Sequence, residues 1–151
     1  MSDIALHANA VQARAQARPG VPAMTMLRVL LGLFYLPHFY SKVVGFESTS
    51  VFFAKAGFHP PGFFVAFSAA AELAVAVALI LGLFTRYAAL VSFVLMVVAA
   101  YAIIQVKGLG WYWSGGGIEY LVMWGLASLV VFVHAWREEP GLLGFGRNIR
   151  L

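Results

Sequence analysis

Six ionisable side chains lie inside long apolar runs of this sequence: Arg28, His38, Lys42, Glu72, Glu119 and His134. The densest group is FYLPHFYSK, residues 34–42, where a proline, a histidine and a lysine fall within six positions of an otherwise greasy stretch. Ionisable groups in hydrocarbon are costly and normally turn toward a bundle interior or a wet cavity. The chemistry open to this set is charge pairing between helices and proton exchange, with Glu72 and His38 as the groups that give and take a proton. At 100° per residue Arg28, Tyr35, His38 and Lys42 fall within an arc of roughly 80°, so one polar stripe runs down the first helix. Pro37 interrupts that helix beside the stripe and frees the carbonyl of Leu33.

Depth along the helices indicates which groups meet. Lys42 and Glu119 both lie within roughly 3 Å of the ends of their segments at 1.5 Å per residue, so they pair if the first and last helices are neighbours. Glu72 lies about 15 Å deep and His38 about 9 Å deep. A glutamate at that depth needs a partner such as His38, Tyr35 or water. Arg28 sits near the opposite boundary, within reach of lipid phosphates. The two embedded cations, Arg28 and Lys42, match the two embedded anions, Glu72 and Glu119. The same pairing can serve structure alone by fixing the register of the bundle.

The solvent that makes these groups unusual is inferred from composition. The chain has 151 residues, of which 62% are hydrophobic and 11% charged. A soluble domain carries about 25% charged residues, so a single domain in a lipid bilayer is expected. There are no cysteines, which removes disulfides, thiolate metal sites and thiol redox chemistry. The net charge of +4 is spread out, which argues against a nucleic-acid surface.

Four apolar segments are long enough to span: 25–44, 62–84, 87–106 and 118–136. As helices they measure roughly 28 to 35 Å, the thickness of the hydrocarbon layer. The expectation is an all-α integral membrane four-helix bundle, with a transmembrane domain over 25–136. An exposed arm covers 1–24, too polar for a signal-peptide core, and a cytoplasmic tail covers 137–151. LFTRY makes a tight turn between the second and third segments. Residues 45–61 contain STSVFFAKAG, which reads as a short interfacial helix capped by Ser48 or Ser50 and stopped by Gly57. KGLGWYWSGGG, residues 107–117, is an aromatic loop suited to the headgroup layer. With four spans both termini share a side. Arg14, Arg18, Arg86, Arg137, Arg147 and Arg150 against Lys55 and Lys107 make that side the cytoplasm. Ala66, Ala70, Ala74, Ala78 and Gly82 recur every four residues and predict close approach of another helix.

Metal and phosphate readings do not fit. His38 and His134 differ in depth by roughly 15 Å, too far for one haem. His7 and His59 fall outside the spans. GWYWSGGG has neither the lysine nor the strand of a phosphate loop.

The order of these features resembles the DoxX family. MLRVLLGLFYLPHFYSKVVGF is similar to that family's first span. FFAKAGFHPPGFFVAFSAAAELAVAVALILGLFTRYAAL is similar to its most recognisable region, a glycine- and proline-ended segment before a glutamate-bearing helix closed by GLFTR. The likeness covers about residues 26–146. It departs where Phe39 stands in place of a glycine common among relatives, and where the tail GFGRNIRL lacks an acidic residue. Carried over, the family's polar positions fall on Arg28, Lys42, Glu72 and Glu119. The resemblance implies a four-helix protein of the bacterial plasma (inner) membrane. Through the thiosulfate-oxidising subunit that gave the family its name, it also implies an accessory subunit in quinone-linked redox chemistry. In that reading Glu72 and His38 exchange protons with a quinone headgroup, and Arg28, Tyr35, Lys42 and Glu119 line the substrate site. No cofactor of its own is encoded, so a redox partner subunit supplies the electrons. The same stripe also admits a small proton-coupled transporter with Glu72 as coupling site, or a non-catalytic membrane scaffold. A homo-oligomer is compatible with each.

Overall fold

The computed structural model describes residues 23–138. The arm expected over 1–24 and the tail expected over 137–151 therefore lie outside the described residues, except for residues 23–24 and 137–138, which are helical. Arg14, Arg18, Arg147 and Arg150 are outside as well. The described chain is all-α: α1 (Ala23–Val44), α2 (Phe46–Lys55), α3 (Pro61–Leu81), α4 (Thr85–Lys107), a 3-10 turn (Trp113–Gly115) and α5 (Glu119–Glu138). Three helices, α3, α4 and α5, are each long and apolar enough to cross a membrane. The pair α1–α2, bent by 96°, brings the number to four if it is counted as one span.

The bend lies at Gly45, which stands between the last bond of α1 and the first of α2. The amide of Gly45 donates to the carbonyl of Ser41 (2.8 Å) and the amide of Thr49 donates to the carbonyl of Gly45 (2.9 Å). No side chain caps the start of α2, so the expected cap at Ser48 or Ser50 is not used. The Ser48 hydroxyl donates back to the Gly45 carbonyl (2.9 Å) instead. Gly57 ends this element with φ of 91°, as its position predicts. Pro61 opens α3, where a missing amide hydrogen costs nothing. Gly82 closes α3 in the left-handed region (φ 75°), and the three residues 82–84 return the chain into α4.

The helices pack as two pairs. α1 runs along α3 and α4 runs along α5, with thinner contact between the pairs. α1 and α3 approach closely at Gly32, where an added Cβ would sit 2.8 Å from the Ile80 side chain and 2.9 Å from the Ala76 carbonyl. The predicted small-residue stripe is not this seam. Ala66, Ala70 and Ala74 are exposed, and the buried face of α3 is Val65, Ala69, Glu72, Val75, Ala76 and Leu79. Both faces recur every three to four residues, so alanine composition alone does not distinguish them. The core runs along the line where the pairs meet, through Leu31, Tyr35, Val75, Leu79, Ala89, Met96, Trp124 and Val131. Beyond the bend, Phe53, Phe58, Phe64 and Tyr101 pack in tilted and edge-to-face contacts at 5.3–6.0 Å and seat α2 and its exit loop on α3 and α4. We call this the corner end of the bundle, and the end holding residues 82–84, Ala23 and Glu138 the turn end.

Candidate functional site

Register explains the first polar contact. Gly32 faces Ala76 and Ile80, and Arg28 faces Leu79 to Gly82. Continuing that antiparallel register at 1.5 Å per residue sets Lys42 opposite about Phe67, so α3 overhangs the end of α1 by roughly 8 Å. The Lys42 side chain reaches inward along α3 by about one turn, and its Nζ donates to both carboxylate oxygens of Glu72, at 2.7 and 2.9 Å. The pair is nearly closed off, with 14% of the lysine and 9% of the glutamate side chain exposed. The pairing expected from depth, Lys42 with Glu119, is not formed. Depths counted from helix ends compare only where the ends are level; α3 overhangs α1, which brings Glu72 within reach of the lysine. Glu119 lies in the first turn of α5, where its Oε2 accepts the backbone amide of Trp113 (3.4 Å) and ties down the aromatic loop.

The second contact crosses between the helix pairs. Tyr35, Ser92 and Ser128 are 0% exposed and belong to α1, α4 and α5. Tyr35 Oη lies 2.8 Å from Ser92 Oγ, which lies 2.7 Å from Ser128 Oγ. Ser128 Oγ donates to the carbonyl of Trp124 at 3.0 Å. With that carbonyl as the terminal acceptor, each hydroxyl donates once in the order Tyr35 to Ser92 to Ser128 to Trp124.

The third is aromatic. The Trp124 ring is surrounded by Tyr35 (4.8 Å), Tyr120 (5.3 Å), His38 (5.4 Å) and Phe34 (6.1 Å). His38 lies nearly parallel to Tyr120, with ring centroids 6.4 Å apart. Trp124 is buried, and its indole N–H has no acceptor among the described residues. His38, by contrast, is exposed. On the helical wheel Arg28, Tyr35 and Lys42 share the centre line of the buried face, while His38 stands at its edge beside α5, roughly 60° from Tyr35. The polar stripe is one stripe in angle but has two environments: a sealed centre and an open edge.

Arg28 belongs to neither. It lies 14 residues from Lys42, about 21 Å along the helix, and its guanidinium donates to the carbonyls of Leu79 and Ile80 at the end of α3. Gly82 lies directly beneath it; a Cβ there would fall 2.6 Å from Nη1. At the same end Arg86, read from sequence as a loop charge, is buried, donates to the Tyr87 hydroxyl (3.1 Å) and stacks on the Trp136 ring (5.3 Å). His134 is exposed near this end.

The structure thus gathers Tyr35, His38, Lys42 and Glu72 in the corner half and leaves Arg28 and Glu119 apart from them. Ser92, Ser128, Tyr120 and Trp124 are the additions that sequence reasoning missed. Tyr120, Trp124 and Ser128 repeat every four residues along one face of α5, a signal that was there to be read. An apolar groove of about 150 Å³ between α4 and α5, lined by Phe93, Met96, Ala100, Leu121, Gly125 and Leu126 among others, holds none of these groups. The sequence model of the DoxX family matches residues 23–105, from the first turn of α1 nearly to the end of α4. No curated protein and no solved structure matches the chain.

Proposed function

Because this chain belongs to the DoxX family, we propose that it is a membrane subunit that receives a quinone headgroup at the edge between α1 and α5, beside a redox partner subunit. The observation that carries this reading is His38: an exposed imidazole on the apolar helix α1, backed by the rings of Tyr120 and Trp124. A flat headgroup arriving through the bilayer meets there an aromatic wall for stacking and a side chain that both gives and takes a proton. Reduction of a quinone to a quinol consumes two electrons and two protons. The partner subunit supplies the electrons, and water supplies the protons by way of His38. Glu72 takes a different part from the one its buried position suggests in sequence. Both its oxygens are engaged by Lys42, so it holds α1 against α3 and keeps the His38 edge in place.

Two other readings compare as follows. A scaffold is favoured by the completeness of the Lys42–Glu72 and Tyr35–Ser92–Ser128 ties. A proton-coupled transporter draws no support from the hydroxyl chain, which ends on a backbone carbonyl. Titration of the purified protein in lipid nanodiscs with a short-chain benzoquinone separates the first two. His38→Ala should weaken binding at least about tenfold, equivalent to about 1.4 kcal/mol. Equal binding by His38→Ala and the unmodified protein rules out the quinone site and leaves the scaffold. We place the protein in the bacterial plasma membrane with both termini cytoplasmic, from the excess of arginine on that side. The chain has no cysteine, so a single Ser114→Cys substitution should react with an impermeant maleimide from the periplasmic face; protection there reverses the orientation.

A further inference from the structure

The hydroxyl chain has a feature that helix-to-helix bonding does not require: both of its ends return to the same residue. At one end the Tyr35 ring lies against the Trp124 ring at 4.8 Å. At the other, Ser128 Oγ holds the Trp124 carbonyl at 3.0 Å. Between them, Ser92 on α4 joins Tyr35 to Ser128. Trp124 is therefore held by its ring from α1 and by its backbone from within α5, in a closed loop through three helices. All three hydroxyls are fully buried.

We propose that Ser92 and Ser128 are positioning residues for the quinone site, which fix the Trp124 ring and so set the wall on which His38 and Tyr120 lie. The inference rests on the quinone reading above. Two consequences are specific to it. The first concerns Tyr35: its hydroxyl donates inward to Ser92, so it has no proton to offer a headgroup. The groups that face the ligand are then His38 and Tyr120, and Tyr35 acts only through its ring. The second concerns additivity. Tyr35 and Ser128 make no hydrogen bond to each other, yet a change at either is transmitted to the other through Ser92. Buried hydroxyl bonds within a membrane add little stability, because the separated helices find other partners. Loss of this loop should therefore show in the ligand site more than in the melting behaviour.

The test uses the full chain in nanodiscs, labelled with ¹⁵N-tryptophan. Its four tryptophans give four indole signals, and Trp124→Phe identifies one of them. In the unmodified protein the Trp124 signal should be single and should move on titration with a short-chain benzoquinone. Ser92→Ala and Ser128→Ala should broaden or split that signal and weaken quinone binding roughly three- to tenfold. Tyr35→Phe, which keeps the ring and tests the loop if a serine variant folds poorly, should be non-additive with Ser128→Ala. The two should become additive once Ser92 is alanine. Quinone binding and a Trp124 signal unchanged in both serine variants overturn the positioning role while leaving the quinone site standing. No quinone binding by the unmodified protein overturns the quinone reading, and this role with it.

Discussion

Two cations on the same face of α1 are satisfied in opposite ways. At the corner end Lys42 gives two hydrogen bonds to one carboxylate, Glu72, from a neighbouring helix. At the turn end Arg28 bonds to backbone carbonyls of that same neighbour, where α3 stops and its last carbonyls lack amide partners. The lysine tie is between charges: remove either member and the other is left buried and uncompensated. The arginine tie is between a charge and the negative end of a helix, whose partner cannot be deleted by any side-chain change. A polar residue in a membrane helix is thus not by itself a sign of chemistry. Both of these are accounted for by architecture, whereas His38, between them in sequence but at the exposed edge, is not.

This contrast can be broken experimentally, most severely at the lysine. Lys42→Met or Glu72→Leu alone should each cost about 3–5 kcal/mol, and the double variant should recover most of that loss. Thermal unfolding in detergent measures it, and a double variant no more stable than either single one would falsify the paired-charge account. Arg28→Met comes next, at about 2 kcal/mol, the usual worth of hydrogen bonds to a charged group; the same melts should show it below either lysine-end single variant. Gly82→Ala should cost about 1–3 kcal/mol for its positive φ. It should be less harmful in the Arg28→Met background, where the guanidinium no longer occupies the space of the new methyl. Strict additivity of the two would mean that Gly82 serves the turn alone. The smallest effect is expected from Tyr35→Phe, about 0.6 kcal/mol in melts, typical of a hydrogen bond between membrane helices.

What sequence could reveal divides along the same lines. Helix existence was legible, because 20-residue apolar runs admit few alternatives in lipid. So was the Gly57 stop, since glycine marks positions that need left-handed backbone, and so was the tight link of α3 to α4, read from the short break LFTRY between two apolar runs. The partner of Lys42 was not legible. It depends on how far α3 overhangs α1, which is set by the bend at Gly45 and by the Gly32 contact, and no local pattern encodes either offset. Ser92 was invisible for another reason. A lone serine in an apolar helix is nearly indistinguishable from alanine until its neighbours on other helices are known. Arg86, placed by sequence in the turn, lies in the first turn of α4, buried and over the Trp136 ring, a contact between distant segments that no local pattern encodes.

The bend at Gly45 has a mechanical consequence. By leaving the axis of α1 at 96°, α2 adds width to one end of the bundle, and the exposed Trp111, Tyr112 and Trp113 add more at the same end. Among the described residues the opposite end holds only a three-residue link between helices. Among the described residues, α2 and these rings take up area in one leaflet that the opposite end does not match, so the free energy of holding them depends on the curvature of the sheet around them.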